Sequence, residues 1–141
     1  MVDQDFIEDS IIEVLKTEFD ENHAAIFSFP DQPQYEEGIL KWIAKHPVCE
    51  ILVIADNIGY TEDGLAQQDV FMKVEITVFA PRRTGDNGAR SVCRKIRQAL
   101  TSNLIDGCQL IPTDESILFY DGSVWCYGQQ YKYDSIYVMG E

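Results

Sequence analysis

The chain has little of what usually announces catalysis, export or a metal site. Its two histidines, His23 and His46, have no motif-like neighbours, and its four cysteines, Cys49, Cys93, Cys108 and Cys126, form no C-x-x-C pair. Zinc sites need such ligands in closely spaced groups. The cysteines are therefore expected to stay reduced and to fill the core as small apolar groups, with no metal or other cofactor. No G-x-S-x-G, H-E-x-x-H, G-x-G-x-x-G or phosphate-cradling glycine loop is present, which removes the main signatures of hydrolases and nucleotide-binding enzymes. No catalytic residue is expected, and the protein is not expected to be an enzyme. An export leader is not expected either, because Asp3, Asp5, Glu8 and Asp9 stand where a leader needs basic residues and then an apolar run. The longest apolar run, Ile51 to Ala55, is far shorter than the roughly 20 residues that cross a bilayer, so no membrane partner is expected.

Positive charge is scarce, and it is also segregated. The net charge is −13, yet residues 1–69 hold 16 acids and 3 bases while residues 70–141 hold 8 of each. The whole acidic excess thus lies in the first half. Such a chain repels nucleic acid over most of its surface, which argues against specific nucleic-acid binding. The bases of the second half are clustered: Arg82, Arg83, Arg90, Arg94, Lys95 and Arg97 make a dense basic patch. One molecule carries two electrostatically complementary regions.

A length of 141 residues with 45% apolar side chains suits one folded domain, 1–141, and no repeat, linker or low-complexity stretch divides it. Asp5 to Phe19 has helical spacing, with Ile7, Ile11, Val14 and Leu15 as its apolar stripe, Asp5 as a cap and Glu8 as the partner of a capping box. Ala24 to Phe29 is a short strand stopped by Pro30. Tyr35 to Lys45, holding Ile39, Leu40, Trp42 and Ile43, is expected to form a short helix ended before Pro47 and weakened by Gly38. Cys49 to Ile58 reads as a central strand.

Asp69 to Ala80 alternates, with Val70, Met72, Val74, Ile76, Val78 and Ala80 on one face. The loop Arg82 to Gly88 then opens a second helix with an apolar stripe of Ala89, Val92, Cys93, Ile96, Ala99 and Leu100, and with Gly107 as its C-terminal stop. Arg90, Arg94 and Arg97 fall on another face of that helix. Two short strands, Cys108 to Ile111 and Ile117 to Tyr120, lead to an Asp121-Gly122 turn and a long returning strand. Trp125, Tyr127, Tyr131, Tyr133 and Tyr137 share one phase of that strand, unless a bulge at Gly128 breaks it. The pattern predicts an α+β fold: a mostly antiparallel sheet of about five to six strands with two main helices packed on one face.

Three uses of the basic ridge stay open: gripping phosphates, lying solvated, or meeting carboxylates on another subunit. The last gains because the chain itself supplies the acidic counterpart, and distinct complementary patches favour head-to-tail contacts. Asp56 and Glu75, with Lys73 nearby, could in principle share a metal as in a nuclease, but Lys73 and Glu75 lie on the polar face of an alternating strand, as solvated residues do. The segment 57–64 does not match calcium-loop spacing. A monomeric adaptor using the aromatic strand as its binding face is the other alternative.

The opening IEDSIIEVLK, the strand VFMKVEITVFAPR, the helix NGARSVCRKIRQAL and the closing ILFYDGSVWCYGQQYKYD together resemble the tail-terminator proteins of Mu-like phages and prophages, and more distantly the lambda minor tail protein U. The resemblance covers nearly the whole chain, and includes the helix pattern G-A-x6-I/V-R-x-A-L, here Gly88-Ala89 through Ile96-Arg97-Gln98-Ala99-Leu100. Tyr35 to His46 departs from it, being longer and more helix-like. The resemblance implies a structural virion protein that forms a ring, expected to be a homohexamer, on the head-proximal end of the tail tube. That ring would stop tube polymerisation and offer a surface for head joining; a neighbouring head-to-tail joining role is the close alternative. Its partners would be further copies of itself, the tail tube protein and a head-joining protein, in the host cytoplasm during assembly and then in the virion tail. DNA would pass through a lumen whose carboxylates let it slide. The expected subunit-interface residues are Arg82, Arg83, Arg90, Arg94 and Arg97.

Overall fold

The strict alternation from Met72 to Ala80 settles how the sheet is built. Met72, Val74, Ile76, Val78 and Ala80 are fully buried, while Lys73 between them is exposed. A strand with one such face needs helices over it. The computed structural model describes residues 4–20, 24–28, 49–62, 67–86, 88–105, 107–120, 122 and 124–138, apart from the side chains of 56–62, 67–71 and 134–138. The elements are α1 (Gln4–Glu18), β1 (Ala24–Ser28), β2 (Cys49–Glu62), β3 (Gln67–Ala80), α2 (Ala89–Ser102), β4 (Leu110–Tyr120) and β5 (Trp125–Val138). The expected helix Tyr35–Lys45, the Pro30 stop and both histidines lie outside the described residues.

The five strands form one sheet in the order β1-β2-β3-β5-β4. β1 runs parallel to β2, and every other pair is antiparallel. The fold is α+β, with α1 over β1 and β2 and α2 over β3, β4 and β5. Both helices cover the same sheet face. Ile7, Ile11 and Leu15 of α1 join Val92, Cys93, Ile96 and Leu100 of α2, and both sets join Ile51, Val53, Val74, Ile76, Tyr131 and Tyr133 of the sheet, in one core cluster. Burying each of these large side chains contributes roughly 1.5–3 kcal/mol, so this face holds most of the stability. Cys49, Cys93 and Cys126 are free and buried. Cys126 lies on the opposite sheet face, its strand position flanked by Phe79 and Phe119, whose rings meet edge to face at 6.2 Å.

Four local expectations are corrected. Glu8 does not close a capping box, because α1 begins at Gln4, ahead of Asp5. Its carboxylate, 8% exposed, instead accepts a 2.7 Å hydrogen bond from the Ala55 N–H, and Gln4 Nε2 donates to the Ala55 carbonyl at 2.9 Å. The register between β2 and β3 slips between Ile54 and Asn57, and a bulge of this kind releases backbone groups that need other partners. Two α1 side chains supply them.

Gly107 does not stop α2, which ends at Ser102 with Asn103 as cap. The Asn103 and Gln109 side chains donate to the Ala99 and Thr101 carbonyls, and Gly107 serves the following Ile105–Cys108 turn at φ +80°. Gly128 makes no bulge against β3: the register runs unbroken from Ala80↔Trp125 to Gln67↔Val138. The bulges fall on β4, at Thr113 and Leu118, so the two short segments expected there are one irregular edge strand that accommodates Pro112. Leu118 folds over Gly128, where an added Cβ would lie 3.1 Å from Leu118 Cδ1.

Candidate functional site

Pro81 follows the last residue of β3, and the loop from there leads into α2. Gly88, the N-cap, has no side chain to offer the first amides. The loop's own carbonyls serve instead. Ala89 N–H donates to the Arg82 carbonyl at 2.8 Å, Arg90 N–H to the Arg83 carbonyl at 3.1 Å, and Gly88 N–H to the Gly85 carbonyl at 3.1 Å. Folding back this tightly needs Gly85 in the left-handed region, φ +94°, and leaves no space at Gly88, where a Cβ would sit 2.4 Å from the Thr84 carbonyl oxygen. Backbone capping therefore brings Arg82 and Arg83 to the same helix end as Arg90. No acidic residue occupies the first turn of α2, so these cations sit at the positive end of a helix dipole that disfavours them.

Beside this end lies an open groove of about 490 Å³. Thr84, Gly85 and Asp86 of the loop line it, as do Arg90, Ser91, Arg94 and Arg97 of α2, with Glu115 and Tyr127 contributed by the β4–β5 hairpin. The structure thus gathers Arg90, Arg94 and Arg97 in one place, as their spacing predicts. The five expected interface arginines differ in what they do. Arg97 Nη1 donates to Glu115 Oε1 at 2.5 Å. Arg83 Nε donates to the Tyr127 hydroxyl at 3.4 Å, and its guanidinium lies 5.8 Å from the Trp125 ring centroid, within cation–π range. Trp125 is itself stacked on Tyr120 at 3.9 Å. Arg82, Arg90 and Arg94 are exposed and make no ion pair or hydrogen bond with the described residues.

Beneath the ridge runs a polar network that sequence reasoning missed. Gln129, 2% exposed, donates through Nε2 to the Cys93 carbonyl at 2.8 Å and to Glu115 Oε1 at 2.7 Å, and its Oε1 accepts from the Tyr131 hydroxyl at 2.9 Å. Glu115 then meets Arg97. The chain Tyr131–Gln129–Glu115–Arg97 ties β5, β4 and α2 together, and a buried network with its members satisfied rigidifies what it joins. Burial, reinforced by the Glu115 charge, pushes the Tyr131 hydroxyl well above the usual tyrosine range. The signal was present in the sequence: Gln129 sits in the aromatic phase of β5, between Tyr127 and Tyr131, where only a partnered amide is tolerated.

Elsewhere the chemistry is sparse. Glu75 is half-buried on the outer sheet face, level with Gln130 and Asp114, and Lys73 is exposed. The Asp56 side chain, and with it the suggested Asp56–Glu75 pair, lies outside the described residues. Among the described residues no three His, Cys, Asp or Glu are grouped as metal ligands. No described helix is long and apolar enough to cross a membrane.

What the geometry defines is a helix tied to a hairpin, presenting at a groove two guanidinium groups, Arg90 and Arg94, that are unpaired among the described residues. A scan against models of known protein families finds no match to the chain, and a search of curated proteins finds none either.

Proposed function

We propose that the protein is a non-enzymatic structural subunit of a phage or prophage tail, a tail terminator that assembles into a ring, expected to be a hexamer, and caps the tail tube. One observation supports it most: Arg90 and Arg94 stay exposed, without an ion pair or hydrogen bond among the described residues, on a helix tied to the hairpin by the Gln129 network. A ridge held so firmly, with its charges unmet, suits contact with carboxylates on a neighbouring subunit. The outer edge of β4, unpaired among the described residues, adds a surface for strand pairing with a neighbour or with the tube. The acidic excess would keep DNA from sticking as it passes through the lumen. Cytoplasmic assembly followed by residence in the virion tail belongs to the same reading, as do the tube and head-joining partners.

The test combines light scattering with electron microscopy of the purified protein, alone and with tube protein. Rings that dissociate as salt rises, and that are lost in Arg90→Glu/Arg94→Glu, are expected. An unchanged oligomer mass in that variant counts against the proposal. One observation favours a second reading, a monomeric adaptor: Ile117, Leu118, Phe119 and Tyr120 of β4 are all exposed. A single subunit's mass at every concentration would favour it.

A further inference from the structure

The exposed face of α1 is as acidic as that of α2 is basic. Asp5, Asp9 and Glu13 follow one another every fourth residue and all are exposed, while Ile7, Ile11 and Leu15 turn into the core. An α-helix rises about 1.5 Å per residue, so Asp9 and Glu13 stand roughly 6 Å apart along the axis, the same spacing as Arg90 and Arg94. Both helices lie on one face of the sheet, α1 above β1 and β2 and α2 above β3, β4 and β5. Among the described residues no ion pair joins the two rows within the chain, so each row is available to another molecule.

We propose that the groove beside α2 receives the Asp5–Glu13 face of α1 from a second copy of the chain. This rests on the ring reading above and names the face that fills the contact. Carboxylates of the incoming helix would reach Arg90 and Arg94 as charge-assisted, fork-like pairs. Arg97, already held by Glu115, fixes the groove wall instead of binding the partner. An apolar counterpart exists on both sides: Phe6 is 50% exposed beside the acidic row, and Ile117 is 49% exposed on β4 opposite Tyr127, which lines the groove. A second copy fits the groove because every chain carries, beside its basic groove, an acidic helix of matching spacing at equal stoichiometry. Different faces meet in this contact, so it is head-to-tail and closes into a ring when the rotation permits.

The experiment uses three variants of the full chain: Arg90→Glu/Arg94→Glu, Asp9→Arg/Glu13→Arg, and all four changes together. All four positions are exposed, so circular dichroism should match wild type. Each double variant is expected to weaken association by about a hundredfold or more, read as sedimentation of single subunits. Mixed one to one, the two double variants should regain a ring of alternating chains, because the native α1 of one fits the native groove of the other and the reversed α1 fits the reversed groove. The quadruple variant should regain the ring. If the Asp9/Glu13 variant assembles like wild type while the Arg90/Arg94 variant does not, α1 is not the occupant and the ring reading survives. If the Arg90/Arg94 variant also assembles, or if the wild-type chain stays single at all concentrations, both fail.

Discussion

Replacing Gly88 with alanine should damage the molecule far more than adding one methyl group to an exposed loop usually does. The added Cβ would lie 2.4 Å from the Thr84 oxygen, 2.5 Å from its carbonyl carbon and 2.7 Å from its nitrogen. All three atoms are backbone, so no rotamer change relieves the overlap. Thr84 would have to retreat by about an ångström, and the hydrogen bonds from Gly88, Ala89 and Arg90 to the carbonyls of Gly85, Arg82 and Arg83 hold it in place. Overpacking of this sort costs about 1–3 kcal/mol, and each hydrogen bond lost contributes about 1 kcal/mol, part of it regained from water. An expected loss of about 3 kcal/mol corresponds to a fall in melting temperature of roughly 10 °C for a domain of this size. Gly128→Ala is the control: its Cβ would meet only Leu118, a half-exposed side chain that can swing away, so a loss below about 1 kcal/mol is expected. Differential scanning calorimetry of both variants decides the matter. Equal melting temperatures for Gly88→Ala and wild type would refute the backbone-capping account of the arginine loop.

Gln129→Leu should lower stability by about 1–3 kcal/mol, because it leaves the buried Tyr131 hydroxyl without its acceptor and removes the side-chain bonds to the Cys93 carbonyl and Glu115. Adding Tyr131→Phe should recover part of that loss, and strict additivity in urea unfolding would show that the two groups are not one network. Burial raises the Cys49 and Cys126 thiols from the usual thiol range to about 11 and, with the Glu115 charge second, raises Cys93 to about 12. The folded state thus keeps protons that the unfolded chain releases above pH 9, so stability is intact below that pH and declines as pH rises toward 11–12. The urea midpoint should fall between pH 8 and pH 10, and a thiol reagent at pH 8 should react readily only with Cys108; rapid reaction of Cys93 in the folded protein would contradict the burial.

The fold was legible in the sequence because its two strongest signals are periodic. The alternation of β3 and the helical stripe of α2 each repeat often enough to fix a buried face, and the register then follows from matching those faces. What escaped were one-off partnerships between residues distant in sequence. Glu8 sits where a capping residue would, and only the β2 bulge, 47 residues on, reveals what its carboxylate does. Gly128 suggested a bulge because glycine weakens strands, yet the bulge lies on the neighbouring strand, at Leu118, whose side chain lies over the glycine. The arginine ridge was visible as spacing, whereas its division into the held Arg83 and Arg97 and the open Arg90 and Arg94 depended on a hairpin that no local pattern specifies.

The same charges should act in opposite directions on folding and on assembly. Within one subunit Arg90 and Arg94, one turn apart, repel each other by a few tenths of a kcal/mol, and they share the positive end of α2 with Arg82 and Arg83 without an acid in the first turn. Asp5, Asp9 and Glu13 repel in the same way along α1. Folding alone gives no reason to segregate like charges so thoroughly; a neighbour of opposite charge does, since docking turns two self-repelling rows into one attractive contact. Salt separates the two effects. Raising ionic strength from 0.01 to 0.15 M shortens the screening length from about 30 to about 8 Å. The melting temperature of the wild-type single subunit, measured at high dilution, should rise or hold, while the association constant should fall. Assembly that strengthens with salt would mean that the opposed helices do not hold the copies together.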